Sequence, residues 1–131
     1  MEQGRNADRK QNKSRRATVT AYEQQAVLFL TKRGYEIIET NFYAGSGEID
    51  IIARESGYLV FIEVKYRRNR RLGGPEGAVG WQKQRRIIKA AKYYLYRHNY
   101  PEDTPCRFDV VTYCGGDQAM LIPDAFELTE G

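Results

Sequence analysis

One histidine, His98, and two cysteines, Cys106 and Cys114, are the whole supply of soft metal ligands in 131 residues. That is too little for a Cys/His zinc centre or a disulfide framework, so reduced thiols are expected and any metal must be held by oxygen. No apolar run approaches the roughly 18 residues that span a bilayer, and no membrane partner is expected. The basic N-terminal stretch lacks the apolar core of a secretion signal, which makes the cytoplasm the expected compartment. No internal repeat is visible, which excludes a solenoid. Acidic residues are scarce in one place: between Lys65 and Arg97 stand eleven Lys/Arg and only Glu76.

What remains is an ordinary globular composition, 41% hydrophobic and 29% charged, with length for one core and not two. A single domain over residues 18–131 is expected behind a disordered basic arm over residues 1–17, which has no apolar periodicity. Net charge is +4, laid out as +4 over residues 1–17, −4 over 18–64, +10 over 65–97 and −6 over 98–131. A basic block directly after an acidic stretch suits a polyanionic substrate drawn toward a metal, by the electrostatics of phosphate binding, the alternative being an ordinary solvated face.

The stretch Gly47 to Lys65, GEIDIIARESGYLVFIEVK, carries charge where a hairpin should carry core. Ile- and Val-rich runs flank the turn-like Arg54-Glu55-Ser56-Gly57, the pattern of two antiparallel strands. A loop centred between Ser56 and Gly57 places Asp50 opposite Glu63 and Glu48 opposite Lys65. Side chains two apart share a face, so regular alternation gathers all four on one side. Facing carboxylates repel, and burying them is costlier still unless a cation neutralises them.

Around this hairpin the periodicity predicts a helix from about Thr20 to Arg33, capped by Thr20 and stopped by Gly34. A strand over Tyr35–Asn41 follows. Glu23 lies at the margin of the helix's apolar stripe, either as an ordinary first-turn acid or as a member of the acid group. After the hairpin, Tyr66–Pro75 reads as a mobile basic loop whose Arg67, Arg68, Arg70 and Arg71 would contact phosphates. A long helix from Pro75 or Glu76 to Tyr96 or Arg97 buries Gln84, Ile87, Ile88, Ala91, Tyr94 and Leu95, and aligns Arg85, Lys89 and Lys92 on the outer side. Lys83, on the flank, either snorkels along the core edge or reaches toward the carboxylates and the nucleic acid. Arg107–Tyr113 and Ala119–Ile122 read as strands joined at Gly115-Gly116-Asp117-Gln118. Asp109 is expected to salt-bridge Arg107, and Ala125, Phe126 and Leu128 to close the core.

A hard cation such as Mg²⁺ or Mn²⁺ takes one or two carboxylates plus water and substrate phosphate oxygens. Asp50 and Glu63 match that need, the Val64 carbonyl could add a ligand, and Lys65 is placed to meet an attacking water and the charge growing on phosphorus.

The order of Glu23 with Ala26, Asn41, GEIDII, FIEVKYR, Lys83, AAKYYL and Arg107-Phe108-Asp109 resembles the PD-(D/E)xK nuclease superfamily, and within it the small bacterial YraN family, similar to archaeal Holliday-junction resolvases. The likeness covers about residues 18–128, with Ile49 where the eponymous proline would stand. It implies an α/β, restriction-endonuclease-like core, a central mixed β-sheet flanked by helices in the order α-β-β-β-α-β-β. It further implies metal-dependent phosphodiester hydrolysis, DNA of branched or junction form as substrate, and a homodimer. Carried over residue by residue, it makes Glu23, Asp50, Glu63 and Lys65 the catalytic set, the three acids as metal ligands, and the hairpin pairing leaves Glu48 a supporting part beside them. The competing reading is a nucleic-acid-binding module that keeps the scaffold without turnover.

Overall fold

The computed structural model describes residues 21–45, 47–67, 79–114 and 118–127. The arm over residues 1–17, Thr20, Arg68, Arg70, Arg71, the turn at 115–117 and Leu128 lie outside the described residues. Ala26 and Leu30, one helical turn apart, define the buried side of helix α1, described over residues 21–32. Gly34, at a φ of +91°, supplies the left-handed stop expected of it.

Strands β1 (Glu36–Tyr43) and β2 (Glu48–Glu55) are antiparallel. The turn at Ser56 and Gly57, with φ of 51° and 83°, leads into β3 (Tyr58–Arg67) in the register its centre dictates. Ile51 faces Ile62 and Glu55 faces Tyr58. Helix α2 (Trp81–Arg97) returns the chain to β4 (Cys106–Cys114), parallel to β3, and β5 (Ala119–Phe126) closes the sheet antiparallel to β4. Sheet order follows chain order, and the crossover helix is what allows one parallel pair among antiparallel ones. The result is the expected mixed sheet in the order α-β-β-β-α-β-β.

Each sheet face has its own core. Ile87, Ile88, Ala91 and Tyr94 of α2 pack on Ile52, Leu59, Phe61, Phe108 and Val110. Ala26 and Leu30 of α1 pack on Ile51, Ala53, Val60, Ile62, Val111 and Tyr113. At about 1.5–3 kcal/mol for each fully buried large aliphatic or aromatic side chain, these two layers hold the sheet between the helices.

Several boundaries differ from expectation. Helix α2 begins at Trp81, after an extended Gly80 (φ −67°, ψ 161°), and the expected start at Pro75 or Glu76 lies outside the described residues. Gln84 there serves the start of the helix twice, its backbone N–H donating to Gly80 O and its side-chain amide to Val79 O, both at 2.9 Å. Tyr66 and Arg67 extend β3 beside Tyr113 and Cys114 instead of joining the loop. Strand β5 runs past Ile122 to Phe126, with Pro123 tolerated because the strand lies at the sheet edge. Phe126 stacks on Phe108 at 4.8 Å, closing the core as expected. Cys106 and Cys114 stand at opposite ends of β4, far beyond the roughly 7 Å that a disulfide tolerates. No helix among the described residues is long and apolar enough to cross a membrane.

The expected Arg107–Asp109 bridge forms at 2.9 Å. Asp109 is fully buried and also accepts from the Tyr35 hydroxyl at 2.6 Å and the Asp124 N–H at 2.9 Å, while Arg107 pairs with Glu55 at 2.8 Å. Asp109 holds the guanidinium pKa above its ordinary value, and burial with the Asp109 bond raises that of the Tyr35 phenol. Every member has a partner, so this network is structural.

Candidate metal centre and nucleic-acid face

The pairing of β2 with β3 is recorded from Glu55↔Tyr58 as far as Ile51↔Ile62, and the acids begin one residue further on. Ile51 belongs to the α1 layer and Ile52 to the α2 layer, as alternation requires, yet Ile49 also belongs to the α2 layer. The pleat therefore breaks at Asp50. Regular alternation would put Glu48, Asp50, Glu63 and Lys65 on one face; the break instead turns Asp50 into the gap between the strands. There its Oδ2 accepts the Val64 N–H at 2.8 Å, and its carboxyl reaches hydrogen-bond contact with Glu63.

On the α1 side, carboxylate oxygens of Glu23, Glu48 and Asp50 all lie within 4.8 Å of one another. Asn41 organises two of them, its side-chain amide donating to Glu23 Oε2 at 2.6 Å and to Glu48 Oε1 at 3.1 Å. It stands between Thr40↔Ile51 and Phe42↔Ile49, hence opposite Asp50, with a φ of 54°. Asn tolerates this left-handed conformation better than most residues. Gly47 lets the α2 backbone come close, since a Cβ there would meet Arg86 O at 3.0 Å.

On the α2 side, Lys83 Nζ lies 3.5 Å from Glu63 Oε2, the lysine half exposed and the glutamate buried. Of the two alternatives for Lys83, the structure takes the one directed at the carboxylates. Lys65 is exposed and, among the described residues, makes no ion pair. Arg85, Lys89 and Lys92 are exposed on the outer side of α2. Arg67 is placed by its backbone in β3.

Charge is poorly balanced here. Burial, then the hydrogen bond and repulsion from Glu63, push the Asp50 carboxyl up to about 9, against the lowering effect of the Val64 N–H. Burial also raises Glu23, opposed by the Asn41 amide and reinforced by Asp50 and Glu48. Like charges about 4 Å apart repel by roughly 4 kcal/mol at an effective dielectric of 20. Such a group must either keep protons or take up a cation, and clustered carboxylate oxygens are the donor set of a hard divalent ion.

Sequence reasoning brought Glu23, Asp50 and Glu63 to one locality and gave Glu48 a supporting part. Glu48 in fact stands in the carboxylate group with Glu23 and Asp50, whereas Glu63 touches Asp50 from the far side. In the sequence Asn41 stands only as part of a motif, and no local pattern marks the role of Gly47. Their signals, an Asn opposite the acid and a Gly before it, acquire meaning only from register and helix placement.

The sequence profile described as "Uncharacterised protein family UPF0102" matches residues 22–113. A UPF0102 protein of Lachnoclostridium phytofermentans is 52% identical over 105 residues, covering 80% of this chain and 88% of that protein. One from Symbiobacterium thermophilum is 55% identical over 101 residues, covering 77% and 85%. One from Janthinobacterium is 41% identical over 101 residues, covering 77% and 80%.

Proposed function

We propose that this chain, which belongs to the uncharacterised protein family UPF0102, is a cytoplasmic, divalent-metal-dependent endonuclease that hydrolyses phosphodiester bonds in nucleic acid, with branched or junction DNA as the favoured substrate class. The observation that carries it is Asp50, a carboxyl inserted between Glu63 on one side and Glu23 with Glu48 on the other. No packing need explains four acids at one place, whereas ion binding does.

Glu23, Asp50 and Glu63 would hold Mg²⁺ or Mn²⁺, with Glu48 as a further oxygen donor. The ion would polarise the scissile phosphate and lower the pKa of the attacking water. Asn41 fixes the Glu23 and Glu48 carboxylates before substrate arrives. Lys65, two residues beyond Glu63 and exposed, meets the attacking water and balances the charge that grows on phosphorus. Lys83, with Arg85, Lys89 and Lys92 behind it and Arg67, Arg68, Arg70 and Arg71 before it in the chain, receives the phosphate backbone. Such contacts read shape rather than base sequence, as a junction-directed enzyme requires.

The test is incubation with linear, single-stranded, flapped and four-way DNA, with and without Mn²⁺. Cleavage is expected only with the metal, and Asp50→Ala or Glu63→Ala should abolish it while leaving DNA affinity nearly intact. Variants that cut as fast as the parent would show that the ligands are misassigned. The Lys83–Glu63 ion pair favours a second reading, a binding module in which a lysine already neutralises one acid. That reading gains if the parent binds DNA and releases no product in either metal.

A further inference from the structure

The first residue of α2, Trp81, is 66% exposed, which is unusual for the largest apolar side chain. It is held in place, because the Arg85 guanidinium one turn later lies 4.8 Å from its ring centroid. Among the described residues no aromatic ring stacks on it. The cation covers part of one side of the indole, so the exposed remainder can receive a flat π-system.

Position gives this exposure a meaning. Trp81 and Lys83 share the first turn of α2 and lie on roughly opposite flanks of it, with Lys83 reaching Glu63. At least the width of the helix, about 10–12 Å with its side chains, therefore lies between the indole and the carboxylate centre, the length of about three or more stacked nucleotides. Exposed Arg85 and Lys89 continue along the helix from Trp81. An indole beside a cationic track matches single-stranded nucleic acid, whose unpaired bases stack on aromatic rings while phosphates follow the positive groove. Bases inside an intact duplex are already stacked on both faces and cannot use such a platform.

We infer that Trp81, backed by Arg85, is a stacking platform for an unpaired nucleobase next to the acid centre, so that the chain prefers nucleic acid with a single-stranded segment over blunt duplex. This deepens the nuclease reading and rests on it for the position of the scissile phosphate, but it concerns binding and can be tested without turnover.

Trp81 is the one tryptophan of the chain, so fluorescence excited at the long-wavelength edge of the indole band, where the ten tyrosines do not absorb, reports on it alone. The full chain is titrated in EDTA with single-stranded, flapped and blunt duplex DNA of equal length, while labelled-strand anisotropy measures affinity. Single-stranded and flapped DNA should quench the indole and blunt duplex should leave it largely unchanged. Trp81→Ala should weaken single-strand binding by about fivefold or more, the low end of what one stacked base contributes, and leave blunt-duplex affinity unaltered. Trp81→Phe should restore most of the difference. Equal quenching by all three DNAs, or Trp81→Ala binding single strands as tightly as the parent, overturns the inference. Quenching without cleavage in Mn²⁺ would sink the nuclease reading and keep the platform; cleavage without selective quenching would do the reverse.

Discussion

Asp50 shows how a side chain and a strand exchange roles. Its carboxylate takes the Val64 N–H and in doing so is fixed against Glu63, where burial makes ionisation unfavourable. In metal-free protein the folded state then keeps a proton that the unfolded chain has released, between the ordinary carboxylate range and about pH 9. Stability must fall as pH rises through that window and is greatest below it. Asp50→Asn removes the titration, so the variant should melt a few degrees higher than the parent at pH 8 without metal and lose the pH slope. Mn²⁺ should raise the parent's melting temperature and leave the variant's unchanged; calorimetry with and without EDTA reads both. Glu48, Asp50 and Glu63 are legible as a group from the hairpin, whereas Glu23 joins them in the sequence only through the family resemblance, and the recorded register stops one residue short of Asp50 and Glu63. Asn41 is not legible in this way, because a positive φ and a double hydrogen bond follow from where β1 lies against β2 and α1, which no local pattern encodes.

Elements position the acids as much as the residues do. Alternation predicted the β2/β3 pairing but not its failure at Asp50, since the break depends on how Ile49 is drawn into the α2 layer. Helix propensity does not register the extended Gly80 that precedes Trp81, so the start of α2 is not legible from local pattern. Contact between α2 and the start of β2 is made at Gly47, where the opposing atom is the Arg86 carbonyl and cannot rotate away. Gly47→Ala should therefore push α2 and Glu48 apart, costing about 1–3 kcal/mol in urea unfolding and weakening Mn²⁺ binding measured by calorimetry. The Arg107–Asp109 network serves as the control. Asp109→Ala removes the acceptor of the Tyr35 hydroxyl and one of the two carboxylates paired with Arg107, and should cost roughly 3–5 kcal/mol, yet variants in which the protein stays folded should keep the metal affinity of the parent, because this network ties Tyr35, beyond the end of α1, to Glu55, at the end of β2 opposite Glu48 and Asp50.

Across the whole molecule, charge is sorted by position in the chain and again by the fold. The +10 block of residues 65–97 contributes the last strand residues of β3 and all of α2, and α2 starts at the sheet end where Glu63 meets Lys83. The fold thereby sets a cationic approach beside an anionic centre, which would be self-defeating for a metal site alone and is coherent for one that must also hold polyphosphate. Each phosphate neutralised releases counterions, so log affinity falls with log salt by about 0.9 per contact. Replacing Arg85 and Lys89 together by Glu should thus weaken duplex binding and flatten the salt slope by about two, whatever the sequence of the DNA. Metal affinity, measured without DNA, should rise slightly or stay constant, because two repelling cations have left the neighbourhood of the ion. An unchanged slope would place the nucleic acid elsewhere on the surface, and would separate the acid centre from the basic helix that the fold has brought beside it.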